Sequence, residues 1–157
     1  MNAATHTAKG TEARYQQAWR LVSVLETAPD LKNHIELQFK NETPEDAKRR
    51  GIRALMVRAR VRAGDALRYV IVQETAENGR DIIAYHIFCN LDMESCRDVC
   101  ARWDIGPYIV SEVDAHRWET LPPFIFDTSR PYYGRRLFNA SRNIWAGPPA
   151  RPAPDIA

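Results

Sequence analysis

The stretch Leu67 to Leu91, LRYVIVQETAENGRDIIAYHIFCNL, decides the fold. It opens with a run of β-branched and aromatic residues, breaks at Glu77-Asn78-Gly79-Arg80, and resumes with a second such run at Ile82. Asn-Gly suits the positive backbone angles of a tight hairpin turn, so Leu67–Thr75 and Ile82–Leu91 are expected to pair as antiparallel strands. Upstream, His34-Ile35-Glu36-Leu37-Gln38-Phe39 alternates with period two, the pattern of a strand with one covered face. Between that strand and the hairpin, Thr43-Pro44-Glu45-Asp46 reads as a helix start: a capping hydroxyl, a first-turn proline, and acids near the positive end of the helix dipole. This helix is expected to run to about Ala63 and stop at Gly64. Ile52, Leu55, Met56, Ala59 and Ala63 share one of its faces, while Arg49, Arg50, Arg53 and Arg60 gather on a flank.

After the hairpin comes an amphipathic helix, Asp92 to Trp103, with Met93, Cys96, Val99, Cys100 and Trp103 inward and Gly106 just past its end. A short strand, Tyr108–Val113, follows. At the other end of the chain, Tyr15, Ala18, Trp19, Val22 and Leu25 recur at helical spacing from Thr11, a hydroxyl N-cap, to Thr27. Trp19 and Trp103 are both expected in the core. Leu137 to Trp145 fits either a short strand or one helical turn. The whole order is α+β: a single antiparallel sheet of about four or five strands with helices packed on one face.

A chain of 157 residues, 45% apolar and 27% charged, can close one ordinary core, which excludes disordered, collagen-like and fibrous classes. One domain over 1–147 is expected, with residues 1–10 disordered and a proline-rich flexible tail at 148–157. No apolar run reaches the roughly 18–20 residues of a membrane span, and the polar start lacks the layout of a secretion signal. Cys89, Cys96 and Cys100 fit a reducing compartment as core thiols, so the expected setting is cytoplasmic, with no membrane partner.

The net charge of +2 hides a strong segregation. Lys48 to Arg68 holds eight basic residues against Asp65 alone, and Arg130 to Arg151 holds five arginines and no acid. Tyr69 to Asp127 between them carries eleven acids and four arginines. Eighteen of the 22 basic residues are Arg, whose planar donor fork suits phosphate and stacks on rings. Tyr132, Tyr133, Arg135, Arg136, Arg142 and Trp145 interleave aromatic and basic side chains, the composition of a surface that stacks bases and neutralises phosphates.

The order of these segments resembles the catalytic domain of rolling-circle replication initiators, the HUH endonucleases. The resemblance rests on HIELQF, the arginine-rich helix, RYVIVQE, a Gly-Arg turn, IIAYHIFCNL, a helix closing on Trp103 and Gly106, and the terminal GRRLFNASRNIWAGP. It spans Ile35 to Pro148 and implies an RRM- or ferredoxin-like sheet. It also implies a Mg²⁺ or Mn²⁺ site that polarises a phosphate while a tyrosine attacks it. Residue by residue, His86 matches the second motif histidine, Ala84 stands where the first would be, and Glu74 takes the place of the upstream acid. No tyrosine or lysine lies between Ser111 and Arg130, which leaves Tyr132 and Tyr133 as candidate nucleophiles.

These departures point to a catalytically degenerate DNA-binding protein of a plasmid, phage or other mobile element. Arg49, Arg50, Arg53, Arg60, Arg135, Arg136, Arg142 and Trp145 would hold single-stranded or hairpin DNA. Two alternatives stand beside this expectation. One is an active tyrosine nickase and religase using Glu74 and His86 with Mg²⁺ or Mn²⁺. The other is an inhibitor that sets the same arginines against a host nucleic-acid-processing protein.

Overall fold

The computed structural model of the chain describes residues 3–40, 42–114, 117–127 and 136–144. Its elements are α1 (Ala3–Glu26), β1 (Asn33–Gln38), α2 (Glu45–Ala63), β2 (Tyr69–Thr75), β3 (Ile82–Cys89), α3 (Met93–Cys100), β4 (Tyr108–Glu112) and β5 (Phe138–Ala140). Short 3₁₀ turns fall at Gly64–Ala66, Trp118–Thr120, Pro123–Phe126 and Arg142–Ile144. The segment from Leu137 therefore holds both a three-residue strand and a helical turn.

The expected hairpin forms: β2 and β3 pair antiparallel from Tyr69 opposite Cys89 to Glu74 opposite Ala84. At its turn the Asn78 side-chain oxygen accepts from the backbone N–H groups of Arg80 and Asp81, and Gly79 takes a positive φ of 71°. The sheet order is β4-β1-β3-β2-β5, with every neighbour antiparallel. Thus β3 threads between β1 and β2, and β1 between β3 and β4. These are two interlocked split βαβ units, the ferredoxin-like plan, extended by β5 at one edge.

The helices do not all lie on one face. On one side α2 and α3 cover Ile35, Leu37, Tyr85, Ile87 and Cys89. On the other, α1 and the Pro123–Phe126 turn pack with Val70, Val72, Phe88 and Phe138. The reason lies in β3, which is buried at seven of its eight positions: Ala84 to Cys89 is apolar or ring-bearing on both faces and needs cover on both.

Other expectations are corrected in detail. Helix α1 begins at Ala3, so Ala3–Gly10 are helical and Thr11 lies inside the helix rather than capping it. Trp19 is 44% exposed and Tyr15 53%. The buried stripe of α1 runs through Ala18, Leu21, Val22 and Leu25, leaving Trp19 at its margin against Tyr15 and Phe126. The Thr43 hydroxyl donates to the Lys40 carbonyl, and Pro44 occupies the α2 cap without a side-chain bond. Helix α3 ends at Cys100, its start capped by Asp92, which accepts from the Ser95 N–H at 2.7 Å. Trp103 is core as expected and donates from Nε1 to the Gln38 carbonyl. A Cβ on Gly106 would sit 2.0 Å from that same carbonyl oxygen, so only glycine lets the α3–β4 loop close onto β1.

Candidate metal centre and basic surface

The register that builds the sheet also places the polar groups on its α1 side. Glu36 on β1 lies directly opposite His86 on β3, and Val72 on β2 lies on the other flank of His86. Glu74, two residues beyond Val72, therefore reaches His86 diagonally from the same face. His86 Nε2 is 2.8 Å from Glu74 Oε1 and 3.8 Å from Glu36 Oε1. Ligand atoms of Glu36, Glu74 and His86 all fall within 4.8 Å of one another, the group among the described residues suited to a metal ion. The sequence reading named Glu74 and His86. It missed Glu36, whose signal was its place on the polar side of an alternating strand that the topology puts beside β3.

His86 is 2% exposed, so each of its ring atoms needs a neighbour. Its Nδ1 lies 2.9 Å from His34 Nε2, and the Phe124 ring lies 4.9 Å from its ring. His34, to which the sequence reading gave no role, is held between the near-parallel rings of His86 and Phe88. Burial, with the neighbouring His86, pushes the His34 pKa down to about 4, so His34 is neutral near pH 7. A neutral imidazole donates from one nitrogen and accepts at the other. If His86 turns a free Nε2 lone pair toward the carboxylates, its proton is on Nδ1 and His34 Nε2 accepts it. As the side chains stand, His86 Nε2 donates to the Glu74 carboxylate at 2.8 Å and Nδ1 accepts from His34 Nε2; a cation would need the opposite tautomer, for which His34 Nε2 is placed as the acceptor. Gln38 donates to Glu36 Oε2 at 3.2 Å and restrains that carboxylate.

The cluster opens into a hollow of about 560 Å³ lined also by Pro122, Pro123, Phe124 and Asp127. The 3₁₀ turn that walls it is anchored by the buried Arg14, whose Nη2 donates to the Phe124 carbonyl at 2.9 Å. Two carboxylates and one imidazole form an oxygen-rich donor set suited to Mg²⁺ or Mn²⁺, and Ala84, level with Glu74, leaves room rather than a ligand. The residues present therefore fit a divalent cation, which Glu36, Glu74 and His86 would hold.

The expected DNA-binding arginines separate by position. Arg49, Arg53 and Arg136 line one hollow of about 440 Å³ between α2 and the β2–β5 edge. Arg60 and Arg142 line the next, of about 690 Å³. Arg50 is exposed and lines neither. Tyr132, Tyr133, Arg135 and Trp145 lie outside the described residues, as does the tail at 148–157. The three cysteines are buried free thiols. A hydrogen bond to Cys96 and burial raise the Cys89 thiol, the same bond lowers Cys96, and burial pushes Cys100 up to about 12, so Cys89 and Cys100 behave as core residues rather than nucleophiles. No helix among the described residues is long and apolar enough to cross a membrane.

No protein-family model, curated protein or solved structure matches the chain.

Proposed function

We propose that this chain is a DNA-binding protein of the replication-initiator kind, with a divalent-cation site whose ligand set has changed. One observation carries the reading: Glu36, Glu74 and His86 converge on three adjacent strands, at the place where the resemblance expects a metal. Ala84 removes one ligand of that pattern and Glu36 offers another from the strand on the opposite flank of β3. A cation there would neutralise and polarise a DNA phosphate. The chain's own part is to aim the two carboxylates through Gln38 and the register, to offer His34 Nε2 as the acceptor for a His86 Nδ1 proton, and to shape the hollow with Phe124 and the prolines.

The experiment is a Mn²⁺ titration read by the loss of the free-ion paramagnetic signal, then binding of labelled hairpin and single-stranded DNA with and without the ion. One Mn²⁺ per chain is expected, with tighter DNA binding in its presence and loss of both effects in Glu74→Gln and His86→Ala. Wild-type protein that takes up no Mn²⁺ ends the reading.

The third ligand also favours the enzymatic alternative, a metal-dependent nickase and religase with Tyr132 or Tyr133 as nucleophile. A covalent protein–DNA band that forms with Mn²⁺ and disappears in the Tyr132→Phe, Tyr133→Phe double variant would establish it. DNA binding without such a band leaves the degenerate, non-cleaving protein.

A further inference from the structure

Helix α2 carries arginines on two flanks, and the fold treats them differently. Those facing α3 are engaged. Arg58 donates from Nε and Nη2 to the Val99 carbonyl, and Arg62 bonds Ser95 Oγ and pairs with Asp98 at 2.6 Å. Those facing the β2–β5 edge are not. Arg49 and Arg53 on α2, with Arg136 and Arg142 before and after β5, are exposed and have no acidic partner among the described residues, and Arg60 reaches only the Tyr69 hydroxyl, at 3.5 Å. The two hollows they line follow one another along β2, past Tyr69 and then Ile71 and Gln73, and together form a trench whose one lining acid is the exposed Asp65, at the Arg60 end. Its α2 wall from Arg49 to Arg60 is about 16 Å long at 1.5 Å per residue. Its floor is the half-buried strip of Tyr69 and Ile71 with Ile52 beside it, uncovered because α2 and α3 pack over the other end of the sheet.

We infer that this trench is a binding site for single-stranded nucleic acid, on the side of the sheet opposite Glu36, Glu74 and His86. The two arginine-rich blocks of the sequence meet there because β5 adds beside β2, the strand that follows α2. Two cationic rims over an apolar, ring-bearing floor match a strand whose phosphates lie outside and whose bases turn in. An acidic polypeptide would satisfy the rims and leave the floor unmatched. At about 3.4 Å per stacked nucleotide, the trench holds about four to five. The inference shares a ligand class with the proposed function but rests on different residues and needs no metal.

Its test is fluorescence anisotropy of the full chain with labelled decathymidylate, its duplex with decaadenylate, and a polyglutamate peptide, all in EDTA. Decathymidylate should bind best, with log affinity falling against log salt at a slope of about −3 for four to five neutralised phosphates. Arg53→Glu with Arg136→Glu should weaken it at least tenfold. Arg97→Glu with Arg102→Glu, the same charge change on the exposed α3 side, should cost less than threefold. Thermal melts check that all variants fold. Equal losses in the two double variants, tighter binding of duplex or polyglutamate, or no binding of the single strand at low salt would overturn the assignment. Glu74→Gln should leave the EDTA result unchanged, so failure of the metal reading and failure of the trench are separately visible.

Discussion

The two faces of the sheet handle charge in opposite ways. Under α1 the ionisable groups are drawn inward and share partners: His86 touches His34, Glu36 and Glu74 within a few ångströms. Along the α2 side of the β2–β5 edge five arginines and a single acid, Asp65, stand at the surface, and the arginines have no ion-pair partner among the described residues. A closed polar cluster buried among rings orients a few atoms with precision, whereas an open row of guanidiniums neutralises a polyanion without ordering it. The contrast teaches that one small sheet can bury and pair the ionisable groups of one face while leaving those of the other open to solvent.

The largest expected effect breaks the first half of this contrast. Replacing both Glu36 and Glu74 by Ala should weaken Mn²⁺ binding by about 100-fold or more, since loss of supporting groups alone costs about 10–100-fold at metal sites. Calorimetry should show this while decathymidylate binding in EDTA stays unchanged; a parallel loss of both would mean the two faces are one site.

Next comes acid sensitivity confined to the buried face. His34 is depressed to about 4 from 6.5, so between those values the unfolded chain takes up a proton that the folded chain refuses. Stability should thus be full above pH 6.5 and fall as the pH drops toward 4. The loss is about 2 kcal/mol, discounted for the part of the ring that water reaches. Urea unfolding at a series of pH values measures it, and His34→Gln should flatten the decline. The same profile in His34→Gln as in wild type would refute the assignment.

The trench comes third, through its salt dependence: the Arg53→Glu, Arg136→Glu variant should lower the slope by at least about 1.4, from two lost phosphate contacts. The smallest effect compares the two flanks of α2. Arg58→Met removes the donors to the Val99 carbonyl and should cost about 1 kcal/mol of unfolding free energy, whereas Arg53→Met should change it by less than about 0.5. Equal costs would mean that Arg53 has a structural partner.

Much of the layout was legible because hairpins, strands and amphipathic helices announce themselves through local periodicity. The Asn78-Gly79 turn, the alternation of β1 and the stop at Gly64 are all local signals. The cover on the second face was less so, although the unbroken apolar run of β3 is the mark of a strand buried on both sides. Trp19 was misplaced because the expected stripe and the buried stripe share Ala18, Val22 and Leu25 and differ at the margin, where tertiary packing chooses. Glu74 and His86 were legible through the resemblance, but Glu36 and His34 looked like the wet side of an alternating strand. Only the insertion of β3 beside β1 turns that side into the lining of a hollow.

By itself, the sequence determined the order and kind of the elements, the two arginine-rich blocks and the acidic middle, since each depends on residues near one another in the chain. The tertiary structure decided which charges are paired. It brought β1, β2 and β3 side by side, so that residues 36, 74 and 86 share a few ångströms, and it added β5 beside β2, so that two distant arginine blocks face one trench. The reason is physical: periodicity is a property of a segment, while juxtaposition depends on the sheet order, which the long-range burial of both faces of β3 selects.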